Sequence, residues 1–212
     1  MLSVYLVEDD PVLSAHVQGT LAVAGDLRLA GAAASLAEAC ATLPGLRPDV
    51  LVVDLGLPDG DGCELIRAVR AAAEAGSDWQ PHILVFSVFG DEQRMMAALE
   101  SGADGLCLKT ADADALLETL RVAAQGESLV TPSLARQVLR RLAAQRPGRA
   151  GPMLEVLRLV AQGYLREEIA ARLQLSVHAV AALVRGAVRQ LHPHERLDSP
   201  LAAVCRRVVQ PA

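Results

Sequence analysis

Short apolar runs that each end in a polar group constrain this chain more than any other feature. VYLV runs into Glu8 and Asp9, VLVV into Asp54, ILVF into Ser87, and LCL into Lys109. Lys109 is the only lysine in 212 residues; the other nineteen basic side chains are arginine. Runs this short, rich in Val and Leu and alternating with helical stretches, read as buried parallel strands. In an open parallel sheet, ligands bind beyond the carboxyl ends of the strands. The pattern therefore gathers three carboxylates, a hydroxyl and an ammonium on one rim. That set suits a divalent cation and a phosphoryl group.

The chain is 52% hydrophobic but only 2% aromatic, so Leu, Val and Ala must fill its core. The net charge of −5 hides a split. Residues 1–125 carry 19 acidic and 7 basic side chains, whereas residues 126–212 carry 6 and 13. Such asymmetry points to two domains with different partners. A basic second half is compatible with nucleic acid, and equally with a solvated surface that complements the acidic half. Cys40, Cys63, Cys107 and Cys205 are scattered without paired spacing, as expected of small buried residues in a reducing cytosol. His192 and His194 flank Pro193 with no Cys or acidic cluster beside them, so they read as a solvated loop. Glu8, Asp9 and Asp10 interrupt the N-terminal apolar run, so no signal peptide is expected. No stretch approaches membrane-spanning length, so a cytoplasmic protein without membrane contact is expected.

The first 125 residues read as five strand–helix units. Strands are expected at Leu2–Val7, Leu27–Ala32, Val50–Val53, Ile83–Phe86 and Leu106–Leu108. Helices are expected at Pro11–Ala24, from the Ser35 capping box through Leu43, after the Gly56–Gly62 loop to about Ala75, near Glu92–Ser101, and at Asp112–Ala124. The fold class is α/β: a doubly wound, five-stranded parallel sheet of flavodoxin-like type, followed by a small all-α domain. Residues 126–152 hold a short amphipathic helix, Ser133–Ala144, and a Pro/Gly linker, Arg146–Pro152. From Met153 only helical patterns remain: Met153–Gln162, Arg166–Leu173, Val177–Leu191 with Ser176 as N-cap, and a last helix at Pro200–Val209. The tight turn Gln174-Leu175-Ser176 between two short helices predicts a helix-turn-helix.

LVEDDP, VVDLGLPDGDG, FS at Phe86-Ser87 and LCLK, in that order, resemble the receiver domain of two-component response regulators. The resemblance covers residues 1–125 and implies Asp54 as phosphoacceptor, with Ser87 and Lys109 contacting the phosphoryl group. It implies a Mg²⁺ site of Glu8, Asp9, Asp54 and the backbone carbonyl of Gly56. An aspartate can act as nucleophile on phosphorus, and catalysis is then mostly positioning and charge neutralisation. Mg²⁺ prefers oxygen ligands and keeps several waters, so Glu8 is expected to act through water. Two departures stand out. The aromatic usual three positions before the lysine is Leu106. The small residue usual after the hydroxyl is Val88, followed by Phe89, which together would crowd the phosphoryl path.

GESLVTPSLARQVLRRL is similar to the connector of NarL/FixJ-type response regulators, and EVLRLVAQG with EEIAARLQLS resembles their LuxR-type helix-turn-helix, here residues 153–212. Val180, Val184, Ala187 and Leu191 form an apolar stripe that says helix, not DNA. The phosphate-holding threonine and lysine of that family are alanines here (Ala179 and Ala181), its scaffold lysine is Glu167, and its first-helix glutamate is Met153. His178, Arg185 and Arg189 remain as expected DNA contacts. The resemblance implies a response regulator phosphorylated by a histidine kinase, not an enzyme with its own substrate. Its output would be transcription control through duplex DNA, with a homodimer on activation left open. The rival reading is a phosphorylation-dependent adaptor whose degenerate helix-turn-helix binds protein.

Overall fold

Strands this apolar can exist only where both faces of the sheet are covered, and helices cover them here. A computed structural model describes residues 1–74, 78–87, 92–125, 130–145 and 151–191. Its main sheet comprises β1 (Leu2–Val7), β2 (Leu27–Ala33), β3 (Val50–Asp54), β6 (His82–Ser87) and β7 (Gly105–Leu108). The order is β2-β1-β3-β6-β7 and every pairing is parallel. The chain winds outward in one direction from β1 to β2, then returns through β3, so the crevice at the strand ends opens beside β1 and β3. This is the expected flavodoxin-like sheet. Between β3 and the following helix, β4 (Gly56–Leu57) and β5 (Gly60–Asp61) form a two-stranded antiparallel hairpin where a plain loop was expected.

The flanking helices are α1 (Pro11–Ala22), α2 (Leu36–Leu46), α3 (Gly62–Glu74), α4 (Glu92–Ser101) and α5 (Ala113–Ala124). Two apolar clusters form on opposite faces of the sheet. Val4, Leu6, Val52, Leu84 and Phe86 pack with Val17, Leu21, Leu116 and Leu120. Tyr5, Val7, Leu51, Val53, Ile83 and Val85 pack with residues of α2, α3 and α4. Alternate residues of each strand supply each cluster, as the pleat requires.

The helix starts follow local chemistry. Asp10 caps α1, accepting from Val12 N at 2.8 Å and Leu13 N at 3.2 Å. Ser35 caps α2 through Glu38 N at 3.2 Å, while Glu38 reaches back to Ala34 N at 2.8 Å rather than to the cap residue. Asp59 adds a second cap that sequence alone did not indicate: its carboxylate accepts from Leu36 N at 2.8 Å and Ala37 N at 2.9 Å. Helix α2 also runs past its expected end at Leu43 and includes Pro44. Proline there lies in the last turn, and the helix stops within three residues at Arg47, which takes a left-handed conformation with φ 44°.

Among the described residues, four further helices follow: α6 (Pro132–Gln145), α7 (Pro152–Gln162), α8 (Arg166–Leu173) and α9 (Val177–Arg189). Ser176 caps α9, accepting from Ala179 N at 3.1 Å. Gln174, at φ 55°, makes the left-handed turn between α8 and α9. Helix α9 packs against α7 and α8 and also reaches α4, while α6 packs against α7 and α4. Glu100 of α4 pairs with Arg141 of α6 at 3.1 Å. Cys40, Cys63 and Cys107 are buried, and burial pushes the thiols of Cys63 and Cys107 up to about 11 and about 12. Such thiols stay protonated and inert. Val88, Phe89, His192, His194, Cys205 and the Pro200–Val209 segment lie outside the described residues, as does the stretch 146–150 of the linker. No helix among the described residues is long and apolar enough to cross a membrane.

A polar knot closes the amino-terminal end of the sheet. Asp104, 6% exposed, pairs with Arg70 at 2.5 Å and accepts from Ile83 N at 2.9 Å. Arg70 also donates to Gly102 O at 2.8 Å and Pro81 O at 3.0 Å. Removing one partner of such a pair strands the other. Asp104→Ala should therefore cost about 3 kcal/mol of unfolding free energy in urea denaturation.

Candidate functional site

Four of the five polar groups at the strand ends meet, Glu8, Asp9, Asp54 and Lys109, and Ser87 joins them through its backbone carbonyl. Glu8 follows β1, Asp54 ends β3, Ser87 ends β6 and Lys109 follows β7. Lys109 donates its backbone N–H to the Ser87 carbonyl oxygen at 2.8 Å, which extends the β6–β7 ladder by one rung. That rung sends the lysine side chain back over the sheet. Its Nζ lies 2.8 Å from Glu8 Oε2 and 2.9 Å from Asp54 Oδ2, and 5.6 Å from the centre of the Phe86 ring. Ser87 is buried at 8% exposure.

Glu8, Asp9 and Asp54 each bring a carboxylate oxygen within 4.8 Å of the others. Their environments differ. The Glu8 side chain is fully buried, with Oε1 accepting from Asp10 N at 3.1 Å; Asp54 is 13% exposed; Asp9 is exposed. Burial pushes the Glu8 carboxyl above its ordinary range, against the pull of Lys109 and the Asp10 N–H. Burial lowers Lys109, but its hydrogen bonds to Glu8 and Asp54 outweigh that and hold the ammonium above its ordinary value. Lys109 is thus a fixed cation placed between two close carboxylates.

Backbone geometry around Asp54 depends on glycine. At Gly62 a side chain would run into the Asp54 carbonyl oxygen and Val53 Cγ1. Asp59 pins the hairpin to α2, and Asp61 accepts from Cys63 N at 2.8 Å at the start of α3. The loop carrying Gly56 is therefore held at both ends. Leu106, in place of the expected aromatic, is 8% exposed and belongs to the core.

The second predicted site is arranged differently. His178 and Arg189 are exposed, but Arg185 is only partly so. The stripe Val180, Val184, Ala187 and Leu191 is buried as expected. Ala181 and Val188, on the neighbouring stripe of α9, are buried too, at 2% each. His82, at the start of β6, lies close enough to feel this helix. Burial pushes its imidazole below the ordinary value and Asp104 pulls it up, while Arg70, Arg185 and Arg189 push it down further.

Removing the ammonium should expose what it compensates. Lys109→Ala leaves the buried Glu8 without its cation, and should cost about 3 kcal/mol near neutral pH. Because the folded pKa of Glu8 is raised, its contribution is fully present below the unfolded pKa and is lost as pH rises through the folded one. Urea denaturation should show a larger deficit for the variant at about pH 8 than at about pH 5.

Residues 4–121 match the family described as "Response regulator receiver domain". The nitrate/nitrite response regulator protein NarL of Escherichia coli (strain K12) is 28% identical over 204 residues, spanning 93% of this chain and 92% of NarL. Among solved structures, the response regulator ChrA of a heme-sensing two-component system is 27% identical, with a TM-score of 0.51 over 97% of this chain and 96% of ChrA. RcsB of Salmonella typhimurium, 23% identical, shares the fold with a TM-score of 0.56 over 99% of this chain and 100% of RcsB. A parallel sheet in this order, the acidic rim with its lysine, and a match across more than half the chain agree: the chain belongs to the response regulator receiver domain family.

Proposed function

We propose that Asp54 takes a phosphoryl group from a histidine kinase and that its phosphorylation governs transcription through the C-terminal helices. The observation that carries this reading is the twin ion pair of Lys109 with Glu8 and Asp54. In this reading residues 1–125 are the receiver, 126–152 the connector and 153–212 a divergent LuxR-type helix-turn-helix domain. The chain is cytoplasmic, and is modified rather than turning over a substrate of its own.

The chemistry follows from the rim. A carboxylate oxygen of Asp54 forms the O–P bond as the donor's P–N bond breaks, and the imidazole leaves with the electron pair. Lys109 neutralises one equatorial phosphoryl oxygen, and the Ser87 hydroxyl donates to another. Asp9, Asp54 and the Gly56 carbonyl are suited to hold Mg²⁺, with Glu8 acting through water. The fit rests on a tight, all-oxygen donor set in which one member, Glu8, is buried. When bound, that ion supplies positive charge to the phosphoryl oxygens. Water returns Asp54 to the carboxylate and releases inorganic phosphate.

Output requires α9 to change partners, because it packs on α4 while Ala181 and Val188 are covered. A helix held there cannot also enter a major groove. Arg185, with His178 and Arg189, is the side chain we assign to duplex DNA. A homodimer on activation would present two such helices to paired half-sites. The adaptor reading is not favoured: the relative matched across almost the whole chain, NarL, is a nitrate/nitrite response regulator.

Asp54→Asn should abolish labelling by a small phosphodonor, since an amide is no nucleophile; equal labelling of variant and wild type would refute the acceptor. Arg185→Ala should cost about 1–3 kcal/mol of specific DNA affinity. Ala181→Lys with Glu167→Lys should steepen the salt dependence of nonspecific binding. A salt-series titration, with and without phosphodonor, reads both.

A further inference from the structure

Gly56 does more than offer a carbonyl: a second cation lies over its backbone. Arg94 sits in the first turns of α4, and its guanidinium lies over Gly56. A methyl group at position 56 would be 3.6 Å from Arg94 Nη2, 3.8 Å from Nη1, and 3.9 Å from Asp54 Oδ2. One point in space is therefore shared by the backbone of the acceptor loop, the arginine and the acceptor carboxylate. Arg94 Nη2 and Asp54 Oδ2 can be no more than about 7.5 Å apart, a gap that a phosphoryl group on Asp54 would largely fill.

The charges explain why a second cation belongs there. Glu8, Asp9 and Asp54 outnumber Lys109 by two negative charges, which a divalent ion offsets. Phosphorylation then turns the single charge of the Asp54 carboxylate into the roughly two charges of an acyl phosphate, a net gain of about one, and brings three acceptor oxygens. Lys109 comes from the β7 side of Asp54; Arg94 comes from α4, across Gly56. A guanidinium is always charged, and its planar fork suits phosphoryl oxygens.

We propose that Arg94 is a further phosphoryl-binding residue of the Asp54 site, reaching it across Gly56. It pairs with a phosphoryl oxygen during transfer and in the acyl phosphate, and neither gains nor loses a proton. The inference rests on Asp54 being the acceptor. A cation in this place has opposite effects on its two neighbours: it attracts the phosphoryl group and repels Mg²⁺. A merely structural arginine would not produce that opposition.

The test uses the full-length chain as wild type, Arg94→Ala, Arg94→Lys, Gly56→Leu and Asp54→Asn. Three quantities are followed: the rate of phosphorylation by acetyl phosphate at saturating Mg²⁺, the affinity for beryllofluoride as a phosphoryl mimic, and the Mg²⁺ affinity of the unphosphorylated chain. Arg94→Ala should slow phosphorylation roughly three- to tenfold and weaken beryllofluoride binding by a similar factor, while Mg²⁺ binds at least as tightly as in wild type. Arg94→Lys should recover part of the loss. Gly56→Leu, which displaces the guanidinium, should lose phosphorylation rate as Arg94→Ala does. Wild-type rate and beryllofluoride affinity in Arg94→Ala would overturn the proposal, as would parallel losses of Mg²⁺ and beryllofluoride binding. Labelling of Asp54→Asn at the wild-type rate would instead overturn the acceptor assignment beneath it, so the two failures are distinct.

Discussion

The ammonium of Lys109 is the interaction on which the rest of the site depends. It joins the ends of three strands that are far apart in sequence: Glu8 after β1, Asp54 at β3, and its own position after β7. Two carboxylates this close, one of them fully buried, would otherwise repel. The lysine bridges them and fixes their spacing. It can do so because its backbone N–H is tied to the Ser87 carbonyl, so the side chain starts from a rigid strand end. A more mobile cation would lose more side-chain entropy for the same pairing.

Around that centre, the acceptor loop is held by groups whose roles are mechanical. Asp59 closes the hairpin onto the first turn of α2, and the absence of a side chain at Gly62 lets α3 start directly under the Asp54 carbonyl. Phosphoryl chemistry asks for positioning more than for acid–base work, and these constraints supply it. They also make the loop a stiff lever between the rim and helices α2 and α3. At the far end of the same sheet, the Arg70–Asp104 knot anchors β6 and β7, close to where the charges of α9 reach His82.

The C-terminal helices show a different economy. In α9 the apolar stripe through Val180, Val184, Ala187 and Leu191 builds the helical domain. Ala181 and Val188 belong to a second, adjacent stripe that is covered as well. Alanine at 181 is poor at holding phosphate but packs closely, so a residue that looks like a loss of function in sequence is a contact residue in the fold. Val88 and Phe89 lie outside the described residues, so the crowding expected from them stays a sequence reading.

Much of this was legible in the chain itself, for identifiable reasons. Apolar runs of strand length announce a parallel sheet, and a polar residue ending each run has to emerge at the same edge, because parallel strands all point one way. Glu8, Asp9, Asp54, Ser87 and Lys109 could thus be grouped from the sequence, as could the Ser35 and Ser176 caps, which act over three residues. What only the tertiary structure decided involves partners distant in sequence with no periodicity linking them. Asp59 caps a helix 22 and 23 residues earlier, Arg94 reaches over Gly56 from another helix, and α9 is covered on two stripes instead of one. Local pattern encodes which way a chain points and which face is apolar. Which surfaces then meet depends on the packing of whole elements, and that is settled only when they are all in place.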